Sequence, residues 1–112
     1  SSDLIEQMEF LQKHQITTRE ELMAYRTPLE EQVQALIKER RRLYRSEPDS
    51  DRISQITEEL KPLRKDIRIC VRIEQQSKEM EERMHLAEQI HRQAEQEEEQ
   101  TEKTRQPRTE SR

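Results

Sequence analysis

The chain has 112 residues, of which 29% are hydrophobic, 41% charged and 3% aromatic, with a formal net charge of -4, four Pro, one Cys and no Gly. About 32 apolar residues are too few for a sizeable globular core, which argues against a pocket-bearing enzyme. Without glycine, phosphate-cradling loops, tight β-hairpin turns and nucleophile elbows lack the residue that gives them their geometry, and helices are what remains.

The apolar residues recur at helical spacing, so an all-α fold is expected rather than the disorder that so high a charge density also permits. A first helix over residues 3–14 opens on Asp3 with Glu6 three residues later, a capping-box arrangement. Leu4, Ile5, Met8 and Leu11 are expected to form its apolar face. After a Gln15-Ile16 turn, Thr17 or Thr18 with a Glu three residues on caps a second helix over 18–26. Thr27-Pro28-Leu29-Glu30 repeats the start signal, with Pro at the first helical position, so a third helix is read over 28–45.

In that helix Leu29, Val33, Leu36, Arg40 and Leu43 step by 4, 3, 4 and 3, a heptad seam with one charged member. Ser46-Glu47-Pro48-Asp49-Ser50 is a turn, and Ser50 or Asp51 caps a helix over 51–76. Its stripe Ile53, Ile56, Leu60, Leu63, Ile67 and Cys70 keeps register across Pro62, which favours a kinked helix over two separate ones, although an interior proline costs about 3 kcal/mol. Two seams joined by a short turn make a coiled-coil-like antiparallel helical hairpin. Counting outward from the turn sets Leu43 near Ile53, Leu36 near Leu60 and Leu29 near Ile67. At the open end Ile69, Val71 and Ile73 are expected to receive Phe10, Leu11, Ile16, Leu22 and Met23 from the N-terminal helix pair, each buried side chain stabilising by roughly 1.5–3 kcal/mol before entropy. Ser77 caps a last, frayed helix over 77–95, with a weak stripe through Met80, Met84, Ala87 and Ile90 or His91. The helical domain thus spans residues 1–92, and 96–112 reads as a charged, disordered tail.

Residues with chemical potential are few. Cys70 sits on the seam and reads as a small hydrophobe rather than a reactive thiol. His14, His85 and His91 lack metal-ligand spacing, and His14 fits a charge partner for a helix C-terminus. No catalytic residue, metal site or cofactor is nominated. The basic run Lys38, Arg40, Arg41, Arg42 and Arg45, with Tyr44 as a stacking surface, is a candidate DNA contact. The same residues also fit a solvated face paired with Glu47, Glu58 and Glu59 across the turn. Lys103, Arg105, Arg108 and Arg112 make the final segment basic. No apolar run approaches a membrane span, one cysteine closes no internal disulfide, and the start at Ser1 rather than Met suggests a piece of a longer, cytoplasmic protein.

Ile16-Thr17-Thr18-Arg19-Glu20-Glu21-Leu22, Tyr25, Leu29-Glu30-Glu31, Arg42-Leu43-Tyr44, Leu63-Arg64-Lys65-Asp66-Ile67-Arg68-Ile69-Cys70, Arg72-Ile73-Glu74 and Ser77 together resemble the C-terminal region of relaxases. These are the mobilisation nucleases of conjugative plasmids and transposons, particularly from Gram-positive gut-type bacteria. The resemblance covers roughly residues 4–85. It implies a parent that nicks DNA with a tyrosine nucleophile and a histidine-bound divalent metal, both in an N-terminal domain outside this chain, so neither Tyr25 nor Tyr44 inherits that role. For this part it implies a noncatalytic accessory role: contacts within the relaxosome, with plasmid or transposon DNA, or with the coupling protein of a type IV secretion channel. Lys103, Arg105, Arg108 and Arg112 would then serve as a translocation signal. A structural coiled coil that pairs with itself as a homodimer, unrelated to relaxases, is the reading from a different class.

Overall fold

The computed structural model describes residues 2–105, which form three α-helices and no strand: α1 (Ser2–Lys13), α2 (Arg19–Ser46) and α3 (Asp51–Arg105). Two compact units divide the chain, residues 1–75 and 76–112, with α3 contributing to both.

α1 ends in a Schellman motif. Ile16 N donates to Leu11 O (2.9 Å) and Gln15 N to Gln12 O (3.2 Å), while Gln15 takes the left-handed conformation at φ 54°. Leu11 and Ile16, the two positions whose apolar contact accompanies this motif, both pack into the same core cluster. Thr18 caps α2: its hydroxyl accepts from Glu21 N at 3.1 Å, and its carbonyl accepts the first helical bond from Leu22 N. The Glu21 carboxylate accepts from the hydroxyls of Thr17 (2.8 Å) and Thr18 (3.1 Å), and these bonds, with a lesser one from the Thr17 backbone amide, lower its pKa from the ordinary carboxylate value.

Three sequence-based boundaries differ. The expected division into helices over 18–26 and 28–45 does not occur, because α2 runs unbroken through Pro28. Contacts on both sides of the proline hold it to α3: Tyr25 Oη donates to Asp66, Arg26 pairs with Glu74 at 2.6 Å, and Val33 is buried among α3 side chains. The N-terminal helix pair is therefore α1 and the first turns of α2. The expected division at Ser77 is likewise absent, and α3 continues through residues 96–105, where disorder was expected. No breaker stands between Pro62 and Pro107, and Glu, Gln, Lys and Arg are all good helix formers. The remainder of the expected tail, residues 106–112, lies outside the described residues.

The antiparallel hairpin is as expected. Glu47 N donates to Leu43 O, Ser50 N to Glu47 O across the Pro48-Asp49 turn, and Ser50 Oγ caps α3 by accepting from Arg52 N at 3.1 Å. α3 passes Pro62 without ending. One cluster, Val33, Ile56 and Leu60 with Leu36, Ile37, Leu43, Leu63 and Ile67 against it, forms the seam. Arg40, its charged member, donates to Thr57 Oγ1 at 3.1 Å. A second cluster at the open end joins Phe10, Ile16, Leu22, Ile69 and Cys70, with Leu11, Tyr25 and Ile73 packed on it. Met23, expected there, is exposed.

α1 uses a different face from the expected one. Gln7 and Phe10 are buried and His14 is half-buried, at helical steps of 3 and 4, whereas Leu4 and Ile5 are 58% and Met8 57% exposed. The aromatic ring at Phe10 decides the rotation: it meets His14 (centroids 4.6 Å apart) and Tyr25 edge-on (5.5 Å, 84°), a denser contact than the aliphatic side chains offer.

Candidate interaction surfaces

The basic run at the end of α2 separates into two parts in three dimensions. Arg40 turns to the seam and is satisfied by Thr57. Lys38, Arg41, Arg42 and Arg45 are exposed, and their spacing of 3, 1 and 3 sets them on one helix face. Successive residues rotate about 100°, so this face is opposite the seam of Leu29, Val33, Leu36 and Leu43. None of the four side chains makes a hydrogen bond or ion pair among the described residues.

Of the acidic residues expected to pair with this face, Glu58 and Glu59 are engaged elsewhere, as is Glu39, whereas Glu47 is exposed and its carboxylate joins no ion pair among the described residues. Glu59 pairs with Arg52 (3.1 Å), Glu58 with Lys61 (2.9 Å), and Glu39 accepts from Arg52 at 3.0 and 3.3 Å. Those bonds lower the Glu39 pKa and raise that of Arg52. Tyr44 is exposed three residues beyond Arg41, within reach of the same face.

A second basic face was not singled out from the sequence. Lys61, Lys65, Arg68 and Arg72 project from the side of α3 away from Ile56, Leu60, Leu63 and Ile67, and Arg64, exposed one turn beyond Leu60, borders the seam. Lys61 is paired with Glu58 and Arg72 with Asp3 at 2.8 Å, while Arg64, Lys65 and Arg68 have no ion pair among the described residues. The i, i+4 recurrence was present in the sequence, but interleaved apolar seam residues hid it as a run. Of the candidate translocation signal, Lys103 and Arg105 are exposed in the last turn of α3, and Arg108 and Arg112 lie outside the described residues.

The most connected polar group in the first unit is internal. Tyr25 Oη donates to Asp66 Oδ2 (3.1 Å), so its oxygen is left to accept from His14 Nε2, 3.3 Å away, and the His14 and Tyr25 rings lie 4.4 Å apart. His14, at the end of α1, thus turns its ring toward Tyr25. Burial, then the hydrogen bond to Asp66, pushes the Tyr25 pKa up to about 12. Burial, then the Asp66 charge, pushes the Cys70 thiol up to about 11, which keeps it protonated at neutral pH, and it packs in the open-end core rather than on the seam. No cluster of three His, Cys, Asp or Glu side chains that could hold a metal occurs among the described residues, and none of their helices is long and apolar enough to cross a membrane.

No protein family, curated protein or solved structure matches this chain. The joints of the fold are Thr18 and Glu21 at the α2 cap, Ile16, Leu22, Ile69 and Cys70 in the open-end core, Leu63 and Ile67 at the seam, and the Tyr25–Asp66 bond.

Proposed function

We propose that this chain is a noncatalytic helical accessory domain of a DNA relaxase, acting in conjugative transfer through protein contacts in the relaxosome or with the type IV coupling protein. The supporting observation is that part of the relaxase-resembling set, Thr18, Glu21, Ile16, Leu22, Tyr25, Asp66, Ile69 and Cys70, caps, fills and clasps the helices, while another part, Arg42, Tyr44, Arg64, Lys65 and Arg68, stays exposed on their surface, an arrangement suited to a scaffold that presents a contact face. Binding of the isolated chain to a purified coupling protein tests the reading, together with incubation on supercoiled transfer-origin DNA and a divalent metal. Capture without strand cleavage is expected. Cleavage by this chain alone would overturn the reading.

One observation favours a second reading, contact with the phosphate backbone of plasmid or transposon DNA. Lys38, Arg41, Arg42 and Arg45 share a solvent face and their side chains make no ion pair among the described residues, the nearest acidic influence being that of Glu39 on Arg42, so the face is open to phosphate. Anisotropy titrations of single- and double-stranded oligonucleotides at about 50 and 200 mM salt address it, since counterion release makes such binding steeply salt-dependent. Micromolar binding that collapses at the higher salt, and that disappears when the four residues are changed to Glu, is the expected result. Affinity that survives the charge reversal would sink it. In the same framework Lys103 and Arg105, with Arg108 and Arg112, are the residues of a basic translocation signal.

A further inference from the structure

The second unit presents an exposed helix face. Every described side chain from 78 to 105 is exposed, including Met80 at 55% and Met84 at 66%. Met80, Met84, Ala87 and Ala94 step by 4, 3 and 7, with His91 at the intervening heptad position, so they share one stripe of the helix. This stripe continues the hairpin seam only after two successive steps of three, Ile67 to Cys70 to Ile73, which shift the register just before the boundary between the units.

Glu81, Glu88, Glu95 and Glu102 recur every seven residues, each immediately after a stripe position. One flank of the stripe therefore carries a carboxylate about every 10 Å along the helix. The other flank, Arg83, Ile90, Glu97 and Thr104, has no such regularity. Residues 76–102 hold nine acidic and three basic side chains, a net of -6. The ion pairs that temper this charge, Glu88 with Arg92 and Glu95 with His91, are within the helix and exposed, hence easily exchanged.

Charge selects the occupant of this face. A nucleic acid is repelled. A second copy in antiparallel array sets glutamate flank against glutamate flank, and in parallel array gains one Arg83–Glu88 contact while opposing Glu97 to Glu102. A helix with Lys or Arg along its flank satisfies the whole row, and methionine adapts readily to foreign side chains. We propose that this face docks a basic amphipathic helix of a partner protein, with Met80, Met84, Ala87 and Ala94 against its apolar stripe and Glu81, Glu88, Glu95 and Glu102 against its cations. The inference rests on the reading of this chain as a protein-contact domain and names the surface and the partner chemistry.

The test titrates the 112-residue chain with a four-heptad synthetic helix carrying Leu at its seam and Lys on both flanks, and with a twin carrying Glu on both flanks. The Lys helix is expected to bind at least about tenfold more tightly than its twin, and Glu81→Lys, Glu88→Lys, Glu95→Lys and Glu102→Lys together to invert the preference. Met84→Asp, which adds negative charge but breaks the stripe, is expected to weaken binding by about tenfold or more, with helicity followed by circular dichroism. Equal affinities for the two helices, or binding indifferent to Met84→Asp, would overturn the proposal. A dimer of the chain alone that Met84→Asp dissolves would overturn it in favour of a second copy. Absence of peptide binding, with coupling-protein binding that survives Met84→Asp, would remove this face while leaving the protein-contact reading in place.

Discussion

Gln15 and Gln7 both carry a local cost that the surrounding structure tolerates. At φ 54° Gln15 occupies a region that disfavours a Cβ by about 1–2 kcal/mol, relieved in glycine. Gln15→Gly should therefore stabilise the chain by about 1 kcal/mol, seen as a higher urea midpoint, with no change in helicity. Gln7 is 7% exposed, and its side-chain nitrogen has no hydrogen-bond partner among the described residues. Replacing it by Leu should stabilise by about 1–2 kcal/mol, since an unpaired buried amide is removed and apolar contact is gained; an unchanged midpoint would show that the amide is satisfied in solution. Tyr25 and Cys70 give the residue scale its pH dependence. Their folded pKa values, about 12 and about 11, stand above ordinary values of 10.0 and 9.0, so the folded state resists losing these protons. Stability is full below pH about 9 and falls as pH rises towards 12 through both groups. Tyr25→Phe should lower stability at neutral pH by about 1 kcal/mol through the lost Asp66 bond, and flatten the alkaline limb of a stability profile.

At the scale of elements, the prolines show tertiary contact overriding a local signal. Thr27-Pro28-Leu29-Glu30 has all the marks of a helix start, yet α2 runs through it because Tyr25, Arg26 and Val33 are all held against α3. Pro62 likewise leaves a carbonyl without its helical donor while α3 continues. Being exposed, Pro62 can be replaced without opening the core, and Pro62→Ala should stabilise by up to about 3 kcal/mol, measured by thermal unfolding. The turn at 47–50, the Ser50 cap and most of the seam residues were legible because each rests on residues adjacent in sequence or on strict heptad spacing. The rotation of α1 was not, since two apolar faces compete on that helix and only the partner rings at His14 and Tyr25 distinguish them.

Over the whole molecule, order is expected to be uneven. The first unit has both buried clusters, while the described part of the second is a helix supported by exposed pairs such as Arg92–Glu88. Hydrogen exchange should therefore be slowest around Ile56, Leu60, Ile69 and Cys70 and fast beyond residue 80 in the free chain, with protection appearing there when a basic helix is bound. Uniform protection along α3 in the free chain would contradict this.

Composition and periodicity alone determined that the chain is helical, that an antiparallel hairpin turns at Ser46–Ser50, and most of the residues that fill its seam, because an apolar repeat of 3.5 residues can be buried in few ways. They also exposed the basic run ending at Arg45. Only the tertiary structure decided which of those charges remain available, since Arg40 is taken by Thr57 while Glu39 and Glu59 are taken by Arg52 and Glu58 by Lys61. It alone decided that Phe10 rather than Leu4 faces the core and that Pro28 lies within a helix. Burial and pairing are properties of neighbours in space, and a linear pattern specifies these only where a single face competes for the core.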